Sequence, residues 1–147
     1  MKKSILAFAM LVLANTMMAK NIQIYESPGC GCCELWADYM KNKGFEVSIH
    51  KTDDLIKIKE KLGIKDGYQS CHTGVIETYV VEGHVPYSAV AWLLANKPKD
   101  VIGIAAPGMP QGSPGMEQGY VQKYPVILMK KDGNYELYGY FIGEKKL

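Results

Sequence analysis

The feature that most constrains this chain is a strand that stops at a turn and leads directly into a cysteine-bearing helix. Residues 21–26 alternate between apolar and polar side chains, which predicts a short β-strand. Ser27-Pro28-Gly29 interrupts that pattern, and a helix is predicted over residues 30–43. The cluster Cys30-Gly31-Cys32-Cys33 therefore lies at the start of a helix, just beyond the end of a strand.

The rest of the chain carries further strand and helix patterns. The predicted elements are a strand at 45–50, a helix at 53–62, a strand at 78–81, a helix at 87–95, and strands at 124–129 and 135–141 that form a hairpin around the turn 130–134. Strand, helix, strand, helix and a terminal hairpin is the order of the thioredoxin fold. We therefore predict an α/β domain, with a thioredoxin-like mixed sheet flanked by helices.

Two features go beyond a minimal thioredoxin-like domain. About sixty residues, 63–124, are predicted to form an insertion before the terminal hairpin. Pro125 opens the first strand of that hairpin, where the thioredoxin fold commonly has a cis-proline facing its active-site cysteines. We expect the cis form there, with an ordinary trans strand proline as the alternative.

The N-terminus has the pattern of a secretory signal peptide. Lys2 and Lys3 precede the apolar run 5–14, which is too short to span a bilayer, and Ala19 precedes the predicted cleavage point. We therefore predict a signal peptide at 1–19 and a mature domain at 20–147, with an uncleaved membrane anchor as the alternative.

The charge of the mature chain argues against an anionic partner. Removing residues 1–19 takes away two lysines and no acid, so the 17 basic and 15 acidic residues become 15 and 15. The sequence contains no arginine, the preferred residue for bidentate phosphate and guanine contacts. We expect no nucleic-acid binding.

The cysteine spacing favours reactive or metal-binding thiols over a disulfide framework. Three of the four cysteines fall within four residues, and a bridge there would close almost no loop entropy. Cys30 and Cys33 have the Cys-x-x-Cys spacing of thiol–disulfide oxidoreductases, so that function stays open. The extra thiol of Cys32 would disturb a two-thiol redox cycle, whereas it adds a ligand to a metal site.

Soft donors elsewhere in the chain point to copper(I). Thiolates and thioethers select copper(I), zinc or iron–sulfur clusters, and copper(I) accepts methionine more readily than zinc does. The candidate metal ligands are Cys30, Cys32, Cys33, Cys71, His72, His84 and, in a loop rich in glycine and proline at 106–117, Met109 and Met116. Three neighbouring thiolates can bridge several ions, so a polynuclear copper cluster is among the predictions.

Four motifs together resemble the CopG family, exported proteins of bacterial copper and silver resistance. They are Ser-Pro-Gly-Cys-Gly-Cys-Cys at 27–33, Ser-Cys-His-Thr at 70–73, Glu-Gly-His-Val-Pro at 82–86 and Pro-Gly-Met-Pro-Gln-Gly-Ser-Pro-Gly-Met-Glu at 107–117. The resemblance implies a thioredoxin-like fold, a periplasmic location and copper binding at the Cys-x-Cys-Cys motif. It further implies a role in handling or interconverting copper(I) and copper(II).

Three functions follow as hypotheses. The first is a periplasmic copper-binding protein, with activity as a copper oxidoreductase left open. The second is a thiol–disulfide oxidoreductase that uses Cys30 and Cys33, and the third is a copper chaperone without catalysis. Copper ions are the expected ligand, and efflux or redox proteins of the periplasm are the expected partners. No stable membrane insertion is expected after cleavage of the signal peptide.

Overall fold

The computed structural model describes residues 19–147. The predicted signal peptide, 1–19, therefore lies outside the described residues except for Ala19. Within residues 19–147, no helix is both long and apolar enough to cross a membrane.

The described residues form one eight-stranded mixed sheet with three helices. The sheet order is β2-β1-β3-β4-β5-β6-β7-β8. The elements, in chain order, are β1 Asn21–Glu26, α1 Gly31–Asn42, β2 Glu46–Lys51, α2 Leu55–Lys61, β3 His72–Ile76, β4 Tyr79–Glu82, α3 Tyr87–Asn96, β5 Val101–Ala105, β6 Lys123–Lys130, β7 Tyr135–Ile142 and β8 Lys145–Lys146. The α/β class and the mixed sheet predicted from the sequence are confirmed.

The pairing around β1 determines where the cysteines lie. β1 and β2 are parallel and are connected through α1, while β3 runs antiparallel to β1 on its other side. The register places Glu26, at the end of β1, opposite His72, at the start of β3. Cys71 therefore lies beside the point where β1 leads into the cysteine cluster.

The helices cover the two faces of this sheet differently. Helices α1 and α3 pack on one face, where the core includes Ile24, Trp36 and Leu93. The indole N–H of Trp36 donates to the carbonyl of Val85 at 3.0 Å, so this buried polar group is satisfied. A smaller cluster on the opposite face, next to the end of α2, includes Ile64 and Met129.

The segment 63–124 differs from the predicted insertion. It supplies β3, β4 and β5 to the middle of the sheet, so that β6 pairs with β5 and not with β1. The hairpin that follows α2 is β3–β4, earlier in the chain than expected. The sequence pattern missed β3 because both its faces are covered, which removes the alternation that marks a half-buried strand. The thioredoxin-like fold stays a prediction. The order on which it rests, strand, helix, strand, helix and hairpin, is formed by β1, α1, β2, α2 and the hairpin β3–β4.

The expectation of a cis peptide bond at Pro125 is wrong. There is no cis peptide bond among residues 19–147. Pro125 is exposed and is the third residue of β6, where it is paired with Tyr140 of β7. β6 pairs with β5 only from Ile127 onwards, so Pro125 lies where β6 has a single neighbour, a position that tolerates a trans proline.

Gly103 of β5 provides a test of the sheet. A Cβ atom at this position would lie 1.9 Å from the carbonyl oxygen of Val80 on the parallel neighbour β4, so either the backbone must move or the pairing must break. We expect Gly103→Ala to lower the free energy of unfolding by about 3 kcal/mol or more. Urea denaturation followed by circular dichroism measures the change. Gly67→Ala is the matched control, since a Cβ there has no neighbour within 4 Å. Equal stability of the two variants would contradict the close approach of β4 and β5.

Candidate metal centre

Helix α1 begins within the cysteine cluster, so its cysteine side chains point in different directions. Cys30 is the N-cap residue, and Cys32 and Cys33 lie in the first turn. Cys33 is fully buried on the same side of the helix as Trp36, whereas Cys32 is half-buried. The first turn therefore presents one sulfur towards the core and one towards the surface.

Cys30 and Cys33 are joined by a disulfide. Both residues were predicted as thiolate ligands, but in this oxidised form neither sulfur is a thiolate. They become ligands only after a two-electron reduction. The free thiols in the described chain are those of Cys32 and Cys71.

Cys71 completes a cluster of four sulfur atoms. Its Sγ lies 3.8 Å from Sγ of Cys32, and Sγ of Cys32 lies 3.5 Å from Sγ of Cys30. The Sγ of Cys33 lies 3.7 Å from the backbone carbonyl of Cys71. All four sulfurs lie within 4.8 Å of one another, close enough to share a metal ion.

His84 adds a nitrogen donor to this cluster. Its Nδ1 lies 2.8 Å from the carbonyl oxygen of Pro114, so Nδ1 carries the hydrogen and donates it. The lone pair is then on Nε2, which lies 3.1 Å from Sγ of Cys71. The loop carbonyl thus fixes the tautomer in the form that binds metals.

His72 is the second imidazole next to Cys71. Its Nδ1 lies 3.4 Å from Sγ of Cys71, and its ring is packed between Trp36 and His84 with centroid distances of 4.7 and 5.0 Å. Its Nε2 is buried and has no hydrogen-bond partner. Burial is the main cause that lowers the pKa of both histidines, of His72 most strongly. Both rings are therefore neutral at physiological pH, the state in which imidazole is a ligand.

The glycine- and proline-rich loop closes over the site but leaves a groove. Gly115 packs so tightly that a Cβ would lie 2.9 Å from the amide nitrogen of Trp36 and 3.1 Å from Nδ1 of His84. Met109 and Met116 line a cavity of about 570 Å³ next to Cys32. The two methionines thus line the same cavity as Cys32.

The donor set suits a soft metal ion. It combines sulfur atoms with neutral imidazoles, and soft thiolate ligands select copper(I), zinc or iron–sulfur clusters. Burial and the neighbouring thiol of Cys32 raise the pKa of Cys71 to about 12. Without a metal, Cys71 is therefore a protonated thiol at neutral pH, and a metal ion would replace its proton.

Solved structures of relatives match the fold. Two forms described as "Copper resistance protein copG", Form 2 and Form 1, are 36% and 37% identical to the chain, with TM-scores of 0.79 and 0.78. Each match covers 84% of this chain and 98% of the other. The chain belongs to the CopG family. A family model described as "Protein of unknown function, DUF411" matches residues 68–116. No curated protein matches the sequence.

The family assignment confirms the resemblance, and the structure adds residues that the sequence analysis missed. The part matched by the DUF411 model contains the candidate ligands other than Cys30, Cys32 and Cys33. Trp36, the carbonyl of Pro114 and Gly115 orient the two histidines, and none of them was predicted as part of the site. Pro114 and Gly115 were visible only as members of an ordered loop, because a backbone carbonyl leaves no mark in a sequence.

The protonated state of Cys71 predicts the pH dependence of metal binding. Because its pKa lies far above neutrality, each bound ion that uses Cys71 must displace a proton. We expect the apparent affinity for Cd(II), a thiophilic probe without redox chemistry, to rise at least about tenfold per pH unit between pH 6 and 8. Thiolate-to-cadmium absorbance measures binding. The number of protons released per bound ion should be smaller in Cys71→Ser than in the wild type. Affinity that is independent of pH would contradict metal binding at this thiol.

Proposed function

We propose that this protein is a periplasmic copper-binding protein of copper resistance that binds copper(I) at its cysteine cluster. The observation that carries the proposal is the convergence of four cysteine sulfurs within 4.8 Å of one another, with Nε2 of His84 3.1 Å from Sγ of Cys71. The relatives described as copper resistance proteins support it, since the chain spans nearly their whole length.

Copper(I) is the metal that fits these donors best. When Cys30 and Cys33 are reduced, the four cysteine sulfurs form one group of candidate ligands, and Cys71 with the two neutral imidazoles forms a second. Thiolate sulfur can bridge two ions, so the proposal includes a polynuclear copper cluster. The thioethers of Met109 and Met116 border the groove beside Cys32, where they would contact copper(I) as it enters or leaves.

The Cys30–Cys33 disulfide gives the proposal a redox component. Oxidation of the two thiols forms one S–S bond and releases two protons and two electrons. Those two electrons reduce two copper(II) ions to copper(I), and an external dithiol that reduces the disulfide restores the starting state. Interconversion of copper(I) and copper(II), and with it activity as a copper oxidoreductase, is proposed on this basis.

The proposed location rests on the N-terminal sequence and on the family. The predicted signal peptide, 1–19, directs export, and the oxidising periplasm is compatible with a reversible disulfide. We propose copper-efflux or redox proteins of that compartment as partners. With no arginine and a near-neutral mature chain, nucleic acid is not proposed as a partner.

The disulfide also favours a second candidate function. A thiol–disulfide oxidoreductase would use Cys30 and Cys33 alone, with Cys33 the more buried sulfur of the pair. A copper chaperone, the third candidate, would use the same metal ligands without a redox cycle.

Copper(I) titration of the reduced protein separates the copper-binding functions from a thiol–disulfide oxidoreductase that binds no copper. We expect tight binding in competition with a copper(I) chelator under anaerobic conditions. Cys32→Ser and His84→Asn should each weaken binding at least about tenfold, because the loss of a ligand costs no less than the loss of an outer-shell partner.

His50→Asn is the matched control, since His50 is exposed and its Nε2 contacts Gln23 of the neighbouring strand. Its copper(I) affinity should equal that of the wild type. If Cys32→Ser bound copper(I) as the wild type does and still reduced insulin disulfides, the oxidoreductase function would replace the copper-binding one.

A further inference from the structure

A buried ion pair lies on the sheet face opposite to the thiols of α1. Nζ of Lys59, on α2, contacts Oε1 of Glu82, on β4, and the two side chains are 3% and 0% exposed. Nζ also donates to Oγ1 of Thr73 at 2.8 Å. His72 and Thr73 are consecutive in β3, so their side chains point to opposite faces of the sheet. The ion pair thus lies directly behind the metal centre.

This network ends at the residue that precedes Cys71. Oγ1 of Thr73 donates to Oε2 of Glu82 at 2.7 Å, and the backbone N–H of Ser70 donates to Oε1 of Glu82 at 2.7 Å. Both carboxylate oxygens are therefore occupied. Glu82 therefore links the backbone of Ser70, just before Cys71, to the end of β4. His84 follows two residues after Glu82.

Ser70 has two further restraints. Its hydroxyl donates to the carbonyl oxygen of Gly108, at the start of the loop that covers the site. It also packs against Gly83, where a Cβ would lie 2.4 Å from Oγ of Ser70. The backbone at Ser70 is thus held from three directions, and Cys71 is the next residue.

The energetics of such a pair indicate that it does more than stabilise the fold. Burial of two charges costs desolvation free energy, and apolar residues of similar volume often give equal or higher stability. What apolar residues cannot provide is an acceptor for the N–H of Ser70. The distances of 3.8 Å from Cys71 to Cys32 and 3.1 Å to His84 depend on where that backbone lies.

We propose that Lys59, Glu82 and Thr73 are positioning residues of the metal centre, which hold the Ser70–Cys71 backbone so that Cys71 meets the thiols of α1 and His84. This inference rests on the proposed copper site, but the positioning is built into the metal-free protein. Loss of the network would displace Cys71 without removing any ligand.

Two double variants with the same charge separate positioning from stability. Lys59→Met with Glu82→Gln removes both charges but keeps an amide oxygen that can accept from Ser70. Lys59→Met with Glu82→Leu removes the charges and the acceptor. We expect both to fold, and we expect copper(I) affinity to fall about tenfold or more in the leucine variant but to change little in the glutamine variant. The thiolate-to-copper(I) absorption should change only in the leucine variant.

A metal-free readout distinguishes failure of this inference from failure of the proposed function. With the Cys30–Cys33 disulfide intact, dibromobimane should cross-link Cys32 and Cys71 in the wild type and the glutamine variant, and several-fold more slowly in the leucine variant. Equal cross-linking in all three proteins would overturn the inference, whatever the wild type binds. If the wild-type protein cross-linked Cys32 to Cys71 but bound no copper(I), the result would count against the copper site alone.

Thr73→Val provides the same test if the leucine variant does not fold. It keeps the shape of Thr73 but removes the hydroxyl that accepts a hydrogen bond from Lys59 and donates one to Oε2 of Glu82. Glu82 then loses one of its restraints, so we expect slower cross-linking of Cys32 to Cys71 at a temperature where the variant is folded, together with a lower melting temperature from the unpaired Oε2. Wild-type cross-linking and wild-type copper(I) affinity in this variant would contradict the positioning role.

Discussion

The antiparallel pairing of β1 with β3 is the constraint on which the site depends. Its register places Glu26 opposite His72, so the end of β1 and the start of β3 lie side by side. β1 leads into Cys30 and the first turn of α1, and Cys71 immediately precedes β3. Two cysteine segments about forty residues apart in sequence thereby meet at one end of the sheet. A shift of this register by one residue would turn His72 away from Trp36 and to the opposite face.

The two faces of β3 carry a candidate metal ligand and a residue proposed to position the site. His72 points towards α1, Trp36 and the sulfur cluster, while Thr73 points towards α2 and the buried ion pair. The covering loop completes the arrangement, because the carbonyl of Pro114 orients His84. The neutral imidazoles and the protonated thiol of Cys71 carry no charge in the metal-free protein, so that none of these three buried groups is an unpaired ion.

The sequence was sufficient to predict those parts of the protein that depend on local patterns. Strand β1, helix α1 and the hairpin β6–β7 were predicted because their alternation, helical spacing and turn residues are local. The position of β3 in the sheet was not, since pairing is decided by distant residues. Lys59 lies four residues after Leu55 on the buried side of α2, but a charged residue there gives no hint of Glu82 as its partner. The Cys-x-x-Cys spacing left a Cys30–Cys33 disulfide open, but a sequence cannot decide whether the bond is formed, because that depends on redox conditions.

The central claim is that the Cys-x-Cys-Cys motif and Cys71 bind copper together. X-ray absorption at the copper edge, recorded on the copper-loaded reduced protein and on its Cys71→Ser variant, tests this directly. We expect a first coordination shell dominated by sulfur with an imidazole contribution, and fewer sulfur atoms per copper ion in the variant. A shell of oxygen and nitrogen alone, or a sulfur count that does not change without the Cys71 thiol, would contradict it.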